Sequence, residues 1–374
     1  MHVLILASYA PSLVNFRGPL IASLFAAGHR VTVGAPDISP QRAVLEALGA
    51  GIMETPLLRT GLNPFADLAY LSALRRVIHE TRPDCVLTYT IKPNIWGAFA
   101  AHRERVPVVA MVTGLGYAFT QGAASAGVKT RLSRALARAL YRRATDRNRC
   151  VIFQNPDDRD DFLAAGCLTD RGKVRMVNGS GVDMAHYTPV PLPQAPVFLM
   201  ISRILGNKGV REYAWAAAAV RATHPQARFR LVGYIDEGPD GIPRAELDRW
   251  IAAGLDYLGP LEDVRPAIAQ ASVYVLPSYR EGTPRSVLEA MAMGRPILTS
   301  DAPGCRETVV PGRNGWLVPP RDSEALAERM RWMIDNPAEW QRMGAESLTL
   351  AAAKYAVEKV NADMIAHLEL MRLE

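Results

Sequence analysis

Short, nearly continuous apolar runs recur along the first half of this chain, at residues 3–7, 30–35, 51–56, 85–89, 106–112, 151–154 and 174–177. Runs of this length without alternation are the pattern of strands covered on both faces. Between them, residues 19–27, 40–48, 64–80, 94–103, 129–145 and 156–165 carry apolar positions at helical spacing. Strands alternating with helices predict a parallel, doubly wound α/β sheet. The pattern halts at residues 187–196, where four prolines in ten residues read as a stiff, non-helical linker. It then restarts, with strands expected at 197–201, 229–232, 256–258, 273–276, 296–300 and 315–318. Helices are expected at 210–224, 244–253, 264–270, 284–293, 323–335 and 338–354. A last helix, 357–371, has Val357, Val360, Met364, Leu368 and Met371 on one face and is expected to return to the first half. The predicted organisation is one domain over 1–188 joined by 356–374, and a second over 189–355. Two such Rossmann-like domains would face each other across a cleft at the carboxyl ends of their strands, where open α/β sheets bind ligands.

The most informative stretch lies at 277–289. A strand ends at Pro277, a polar turn follows, and Thr283 with Pro284 reads as an N-cap and first helical residue. Glu281 lies on the turn and Glu289 inside the helix, about 7 Å further along the axis than Pro284. Between the two carboxylates is a helix N-terminus, with free N–H groups and the positive end of the dipole. An anion flanked by polar groups suits this layout, and the ribose, diphosphate and hexose of a nucleotide sugar have that order. Glu289 is flanked by Val287, Leu288, Ala290 and Met291, so it is expected to be buried and to need a partner such as a ribose diol. Arg203 and Lys208, on the turn after the 197–201 strand, add two cations at the same sheet edge. Read singly, each is a surface cation; together with Glu281 and Glu289 they form a diphosphate site.

Arg203, Lys208 and the pair Glu281 and Glu289, spaced E-x7-E, resemble the family 4 retaining glycosyltransferases of the GT-B fold over essentially the whole chain. The resemblance implies that Arg203 and Lys208 bind the donor diphosphate, that Glu289 bonds the ribose hydroxyls, and that Glu281 contacts the donor hexose. It also implies that Gly282, Thr283 and Pro284 lie against sugar and phosphate. In the first domain, Asn15, Arg17 and Gly18 open a helix after the first strand. Lys92 and Asn94 follow the fourth strand, and Thr113 with Gly114-Leu-Gly116 follows the fifth. Gly18 would allow a close approach to the donor. Asn15, Arg17, Lys92, Asn94 and Thr113 are the candidates for acceptor binding, against plain loop chemistry as the alternative. These segments are similar to bacterial enzymes that extend saccharides on undecaprenyl diphosphate, above all to α-1,3-N-acetylgalactosaminyltransferases acting on lipid-linked diacetylbacillosamine. UDP-GalNAc is then the implied donor. Many members have His or Glu where Thr113 stands, so the sugar itself is left open, and capsule, exopolysaccharide or lipopolysaccharide transferases using another donor remain alternatives.

Composition, 49% hydrophobic and 21% charged over 374 residues, allows two buried cores. No apolar run approaches the roughly 20 residues of a membrane span. The start Met-His-Val-Leu-Ile-Leu-Ala lacks a basic leader and reads as a strand rather than a signal peptide. The four cysteines have no metal or redox spacing and read as free thiols. No Asp-x-Asp motif and no His/Cys cluster stands after a strand of the second domain, so transfer without metal or other cofactor is expected. The net charge of +6 favours anionic partners, and eight Lys/Arg against one acid fall within 129–149. Arg131, Arg134, Arg138 and Arg142 share one face there, with Leu132, Leu136 and Leu140 on another. This helix is either a core helix with a solvated face or a surface helix on acidic membrane, with Leu62 and Phe65 entering the same interface. The expected partners are a nucleotide sugar, a polyprenyl-diphosphate-linked saccharide and an acidic membrane surface, with no nucleic acid. The expected location is the cytoplasmic face of the bacterial inner membrane. His102, His186 and His224 read as surface residues. Same-face attack by the acceptor is expected, since Glu281 is better used to hold hydroxyls than as a nucleophile. A nucleotide-sugar 2-epimerase would need a carboxylate and histidine cluster around the hexose, and a non-catalytic basic scaffold would not need the four charged donor-site residues together.

Overall fold

The apolar runs of the first half pair into one parallel sheet. Its strands are β1 (His2–Leu6), β2 (Arg30–Ala35), β3 (Gly51–Glu54), β4 (Cys85–Tyr89), β5 (Val108–Val112), β6 (Cys150–Phe153) and β7 (Val174–Met176), in the order β3-β2-β1-β4-β5-β6-β7. The computed structural model describes residues 1–58, 63–115 and 128–369, with backbone alone for 128–132. Every residue of β1, β4 and β5 is buried, because helices cover both faces, and this is why these runs do not alternate. The helix Val357–Glu369 belongs with this sheet. Met364 and Leu368 enter its core, and the Asn361 amide donates to Ser23 Oγ at 3.0 Å.

The second half repeats the arrangement with β8 (Val197–Ile201), β9 (Arg228–Val232), β10 (Asp256–Tyr257), β11 (Val273–Leu276), β12 (Ile297–Ser300) and β13 (Gly315–Val318), in the order β10-β9-β8-β11-β12-β13, all parallel. In both sheets the strand order reverses beside the first strand of the sheet, at β1/β4 and at β8/β11. Loops leaving a doubly wound sheet diverge at such a point and leave room for a ligand. Both halves are therefore Rossmann-like α/β units.

Backbone contacts divide the chain into Met1–Ser180 with Glu358–Glu374, and Gly181–Val357. A Cβ on Gly181, which has φ +74°, would lie 2.7 Å from the Val357 Cα, so only glycine lets these two segments touch. The division falls before the proline-rich stretch, which is not a loose linker. Tyr187 is buried in the second core, and the Arg295 guanidinium donates to the carbonyls of Val190 (3.1 Å) and Pro191. Arg295 is 0% exposed, and its other donors reach the carbonyls of Ile268 (3.0 Å) and Ala269 (3.2 Å) at the end of a short helix. Carbonyl dipoles thus solvate a buried cation, and burial lowers its pKa to about 10.

Element ends shift from expectation where tertiary contacts decide them. The 8–18 segment contains a helical turn, Pro11–Asn15, before the helix Gly18–Ala26. The 94–103 helix begins as a π-helical turn, Pro93–Gly97, and continues as Ala98–Arg103. The helix after β11 begins at Arg285, one residue late, with Pro284 as its cap. Replacing Arg295 by Leu strands at least four carbonyls, and we expect a loss of about 3 kcal/mol or more, read as a lower melting temperature of the second unit by calorimetry. An unchanged transition would mean that the guanidinium carries no structural weight.

Candidate active site

Three neighbouring strands of the second unit, β8, β11 and β12, hold the charged residues through glycines that admit close backbone packing. After β8 the chain turns through Gly206–Lys208 into the helix Val210–Arg221. Gly209, at φ +75°, sits between them, and a Cβ there would stand 2.1 Å from the Pro277 carbonyl oxygen. The Tyr279 N–H donates to the Asn207 carbonyl at 2.9 Å, so the β8 and β11 loops are joined directly. On the other side the Glu281 N–H donates to the Pro303 carbonyl at 2.9 Å, and a Cβ on Gly304, at φ +77°, would stand 2.1 Å from the Glu281 carbonyl oxygen. Glu281 is therefore clamped between two loops.

This clamp brings together the residues that the sequence pattern singles out. Lys208 Nζ lies 2.5 Å from Glu281 Oε1, with about one sixth of each side chain exposed. Arg203 is half exposed, and its Nη1 meets Asp236 Oδ2 at 3.1 Å. Asp236 carried no signal in the sequence, because it lies in the loop after β9 and its pairing arises only from strand order. Cys305 stands behind the clamp. Burial, and then the Glu281 charge, push its thiol up to about 12, so it is no nucleophile. Among the described residues no group of three His, Cys, Asp or Glu side chains converges as metal ligands would.

Glu289 is 7% exposed, as its apolar neighbours imply. Its partners are protein groups: the Tyr187 hydroxyl donates to Oε1 at 2.9 Å, and Arg285 Nε lies 2.8 Å from the same oxygen. Neither partner was visible in the sequence, since Tyr187 sits in the proline-rich stretch and Arg285 reads as an ordinary first-turn residue. Burial raises the pKa of Glu289, opposed first by Arg285 and then by Tyr187.

In the first unit the candidates separate into two groups. Asn15 is exposed at the end of its helical turn, and Thr113 is half-buried after β5. Arg17 is buried instead. Its guanidinium stands 5.0 Å from the centre of the Tyr89 ring, donates to Met111 Sδ at 2.8 Å, and leaves Nε without a partner. Among the described residues no carboxylate meets it, and burial lowers its pKa. Gly18 begins its helix, and a Cβ there would meet Leu48 Cδ1 at an ordinary 3.6 Å, so the fold itself does not require glycine. Lys92 and Asn94 do not reach a ligand edge. Lys92 Nζ lies 2.9 Å from Asp67 Oδ1, both buried, and ties the Pro64–Thr81 helix to the π-helical turn. Asn94, fully buried, accepts from Thr88 Oγ1 at 2.7 Å and donates to the Met111 carbonyl and the Tyr141 hydroxyl, both at 2.9 Å. Buried polar groups must find partners, and here the helix after β4 turns both side chains inward.

The surface candidates also divide. Phe65 is 84% exposed, and Leu68 follows it on the outside of the same helix. On the helix Val128–Thr145, Arg138 and Arg142 are exposed and Arg134 is half-buried. Leu136 is exposed rather than packed, because Tyr141, Ala144 and Thr145 form the inward face. The Arg131 side chain and Leu62 lie outside the described residues. Among the described residues no helix is long and apolar enough to cross a membrane.

A raised carboxylate pKa means that the folded protein holds the Glu289 proton more tightly than the unfolded chain. The group's contribution is then fullest below the ordinary carboxylate pKa and is lost as pH rises through the folded value. Glu289→Gln, which cannot ionise, should therefore gain melting temperature relative to wild type between about pH 4 and about pH 7. A difference that stays constant over this range would contradict the raised pKa.

Two family models divide the chain. Residues 17–179 match a glycosyl transferase 4-like domain, and residues 195–336 match glycosyl transferases group 1. The N,N'-diacetylbacillosaminyl-diphospho-undecaprenol alpha-1,3-N-acetylgalactosaminyltransferase of Campylobacter jejuni is 28% identical, covering 96% of this chain and 93% of that protein. Among solved structures, Anabaena HepE in complex with UDP and glucose matches with a TM-score of 0.79 at 19% identity, covering 98% of this chain and 99% of that one. Sucrose-phosphate synthase from Thermosynechococcus elongatus also matches at 0.79 and 19%, covering 100% of each. With a glycosyltransferase domain matched on each Rossmann-like half, the chain belongs to the family 4 glycosyltransferases of the GT-B fold.

Proposed function

We propose that this enzyme is a retaining α-glycosyltransferase of bacterial glycan assembly, which moves GalNAc from UDP-GalNAc onto a saccharide carried by undecaprenyl diphosphate. The observation that carries the reading is the contact of Lys208 with Glu281 at the β8/β11 switch point, beside the start of the Arg285–Ala292 helix and above buried Glu289. When a nucleotide sugar binds, a diphosphate oxygen replaces Glu281 as the partner of Lys208, and the freed carboxylate turns to the hexose hydroxyls. Arg203 joins Lys208 on the diphosphate, Gly282, Thr283 and Pro284 border it, and the helix N-terminus adds its N–H groups. Glu289 holds the ribose, its carboxylate oriented by Tyr187 and Arg285. Support for the substrates comes from the C. jejuni relative, whose name gives the transferred sugar and the lipid-linked acceptor, and from the UDP bound to Anabaena HepE.

The acceptor hydroxyl attacks the anomeric carbon as its bond to the diphosphate oxygen breaks, and the hydroxyl proton passes to the departing phosphate on the same face. Lys208, Arg203 and the helix end supply the positive charge that the leaving group needs, so a metal is not required. The first unit receives the acceptor through Asn15, Arg17 and Thr113, with the uncompensated guanidinium of Arg17 as its anion contact. Phe65, together with Arg134, Arg138 and Arg142, sets this unit against the acidic inner face of the inner membrane.

Lys208→Ala should lower kcat by about 100-fold, and transfer should persist in EDTA. Near-wild-type turnover of the variant would return Lys208 to a structural ion pair, and loss of activity in EDTA that Mg²⁺ restores would reject the metal-free reading. Glu289→Ala should weaken UDP binding by about tenfold in calorimetry, roughly one good hydrogen bond; unchanged affinity would remove Glu289 from the ribose site.

A further inference from the structure

Three arginines of the first unit meet around a pocket that no role above uses. Arg103 ends the Ala98–Arg103 helix, Arg143 lies in the last turn of Val128–Thr145, and Arg147 lies just beyond it. The cavity between them has a volume of 390 Å³, and its apolar wall is built from Leu71, Trp96 and Phe99. Trp96 and Phe99 meet edge to face, with ring centres 5.8 Å apart, and both are half-buried.

The three arginines are exposed, and they converge here without a counter-charge. Among the described residues none of the three guanidiniums has an ion pair or a side-chain hydrogen bond. The acids nearest in sequence are occupied: Glu104 is held by Arg75 at 3.0 Å, and Asp146 accepts from the Thr169 N–H and hydroxyl at 2.8 Å and faces Arg142 at 3.5 Å. The C-terminal ends of the two helices attract cations, but each offers only about half a charge, too little to balance three guanidiniums.

A polar pair adjoins the arginines. His102 lines the pocket, with both ring nitrogens inaccessible to solvent. Asn148, 1% exposed, lies against this ring as its hydrogen-bonding neighbour. Burial, and then the charge of Arg147, push the His102 pKa below its usual value, so the ring is neutral at neutral pH.

We propose that this pocket binds an organic phosphate, a phosphate monoester or diester whose remaining portion is apolar or aromatic. Guanidinium forks pair with phosphate oxygens two at a time. Trp96 and Phe99 offer ring faces and edges to the apolar portion. The pocket is separate from the acceptor candidates. Ala98–Arg103 leads into β5 and Val128–Thr145 leads into β6, so these helix ends lie toward the amino edge of the sheet, whereas Asn15, Arg17 and Thr113 follow the carboxyl ends of β1 and β5. The inference therefore does not depend on the substrates proposed above. Two sources share the chemistry, the headgroup of an anionic phospholipid and a free soluble ester.

The full-length protein, saturated with UDP to occupy the donor site, is titrated with phenyl phosphate by calorimetry. In parallel it is sedimented with vesicles of phosphatidylglycerol in phosphatidylcholine and with phosphatidylcholine alone. The double variant Arg143→Ala/Arg147→Ala and the single variant Trp96→Leu are treated identically. Saturable binding that falls about tenfold or more in the double variant is expected. If phenyl phosphate alone meets this criterion, the ligand is a free ester. If the phosphatidylglycerol vesicles alone meet it, the ligand is a lipid headgroup. Trp96→Leu should weaken phenyl phosphate more than inorganic phosphate. Absence of saturable binding to both probes, or equal binding by the double variant, overturns the proposal. Equal losses for phenyl phosphate and inorganic phosphate in Trp96→Leu overturn its apolar half. Glycosyl transfer to a water-soluble acceptor should be unchanged in the double variant, which keeps this outcome distinct from failure of the donor site.

Discussion

The second unit depends on two carbonyl oxygens that occupy the space of side chains. The Pro277 oxygen stands where a Cβ on residue 209 would be, and the Glu281 oxygen where a Cβ on residue 304 would be, each at 2.1 Å. Both positions have φ near +75°, which glycine adopts without strain. These contacts hold three loops from adjacent strands in one layer. The short Lys208–Glu281 contact follows from that layer, because residues 73 positions apart in sequence meet only if the loops after β8 and β11 are in register. Charge chemistry in this unit thus rests on backbone packing.

Charges are handled in different ways, and the difference separates structure from function. Arg295 is surrounded by carbonyls, and Lys92 has Asp67. Both are satisfied and act as fasteners. Glu289 is held by a tyrosine and an arginine, yet burial still disfavours its charge. Buried Arg17 has a ring face and a thioether but no carboxylate, and the exposed Arg103, Arg143 and Arg147 have no ion pair among the described residues. A fold gains little by burying a cation in the condition of Arg17, so a buried cation without a counter-charge is the better marker of an anion's place.

The alternation of apolar runs and helices made both doubly wound sheets legible, because strands buried on two faces need continuous apolar sequence. The E-x7-E spacing, with Arg203 and Lys208 on the first strand–helix turn of the same half, made the donor loops legible for a local reason: strand, turn and helix are encoded by neighbours in sequence. Asp236, Tyr187 and Gly304 were not legible, because each meets the site only through strand order or through packing of a distant segment. Lys92 and Asn94 read as ligand groups at a strand end. The same strand end leads into a helix that turns them inward, and no local pattern records where Asp67 or Tyr141 will stand.

By itself, then, the sequence determined the class of fold, the repeat of two Rossmann-like units, and the short-range frame of the donor loops, since periodicity and turn chemistry act over a few residues. Only the tertiary structure decided which charges are paired. It set Lys208 on Glu281, gave Glu289 its tyrosine, enclosed Lys92 and left the three arginines around Trp96 without a counter-charge. Those outcomes depend on distances between residues far apart in the chain, and whether a charge is solvated, paired or stranded is a property of the surface packed around it.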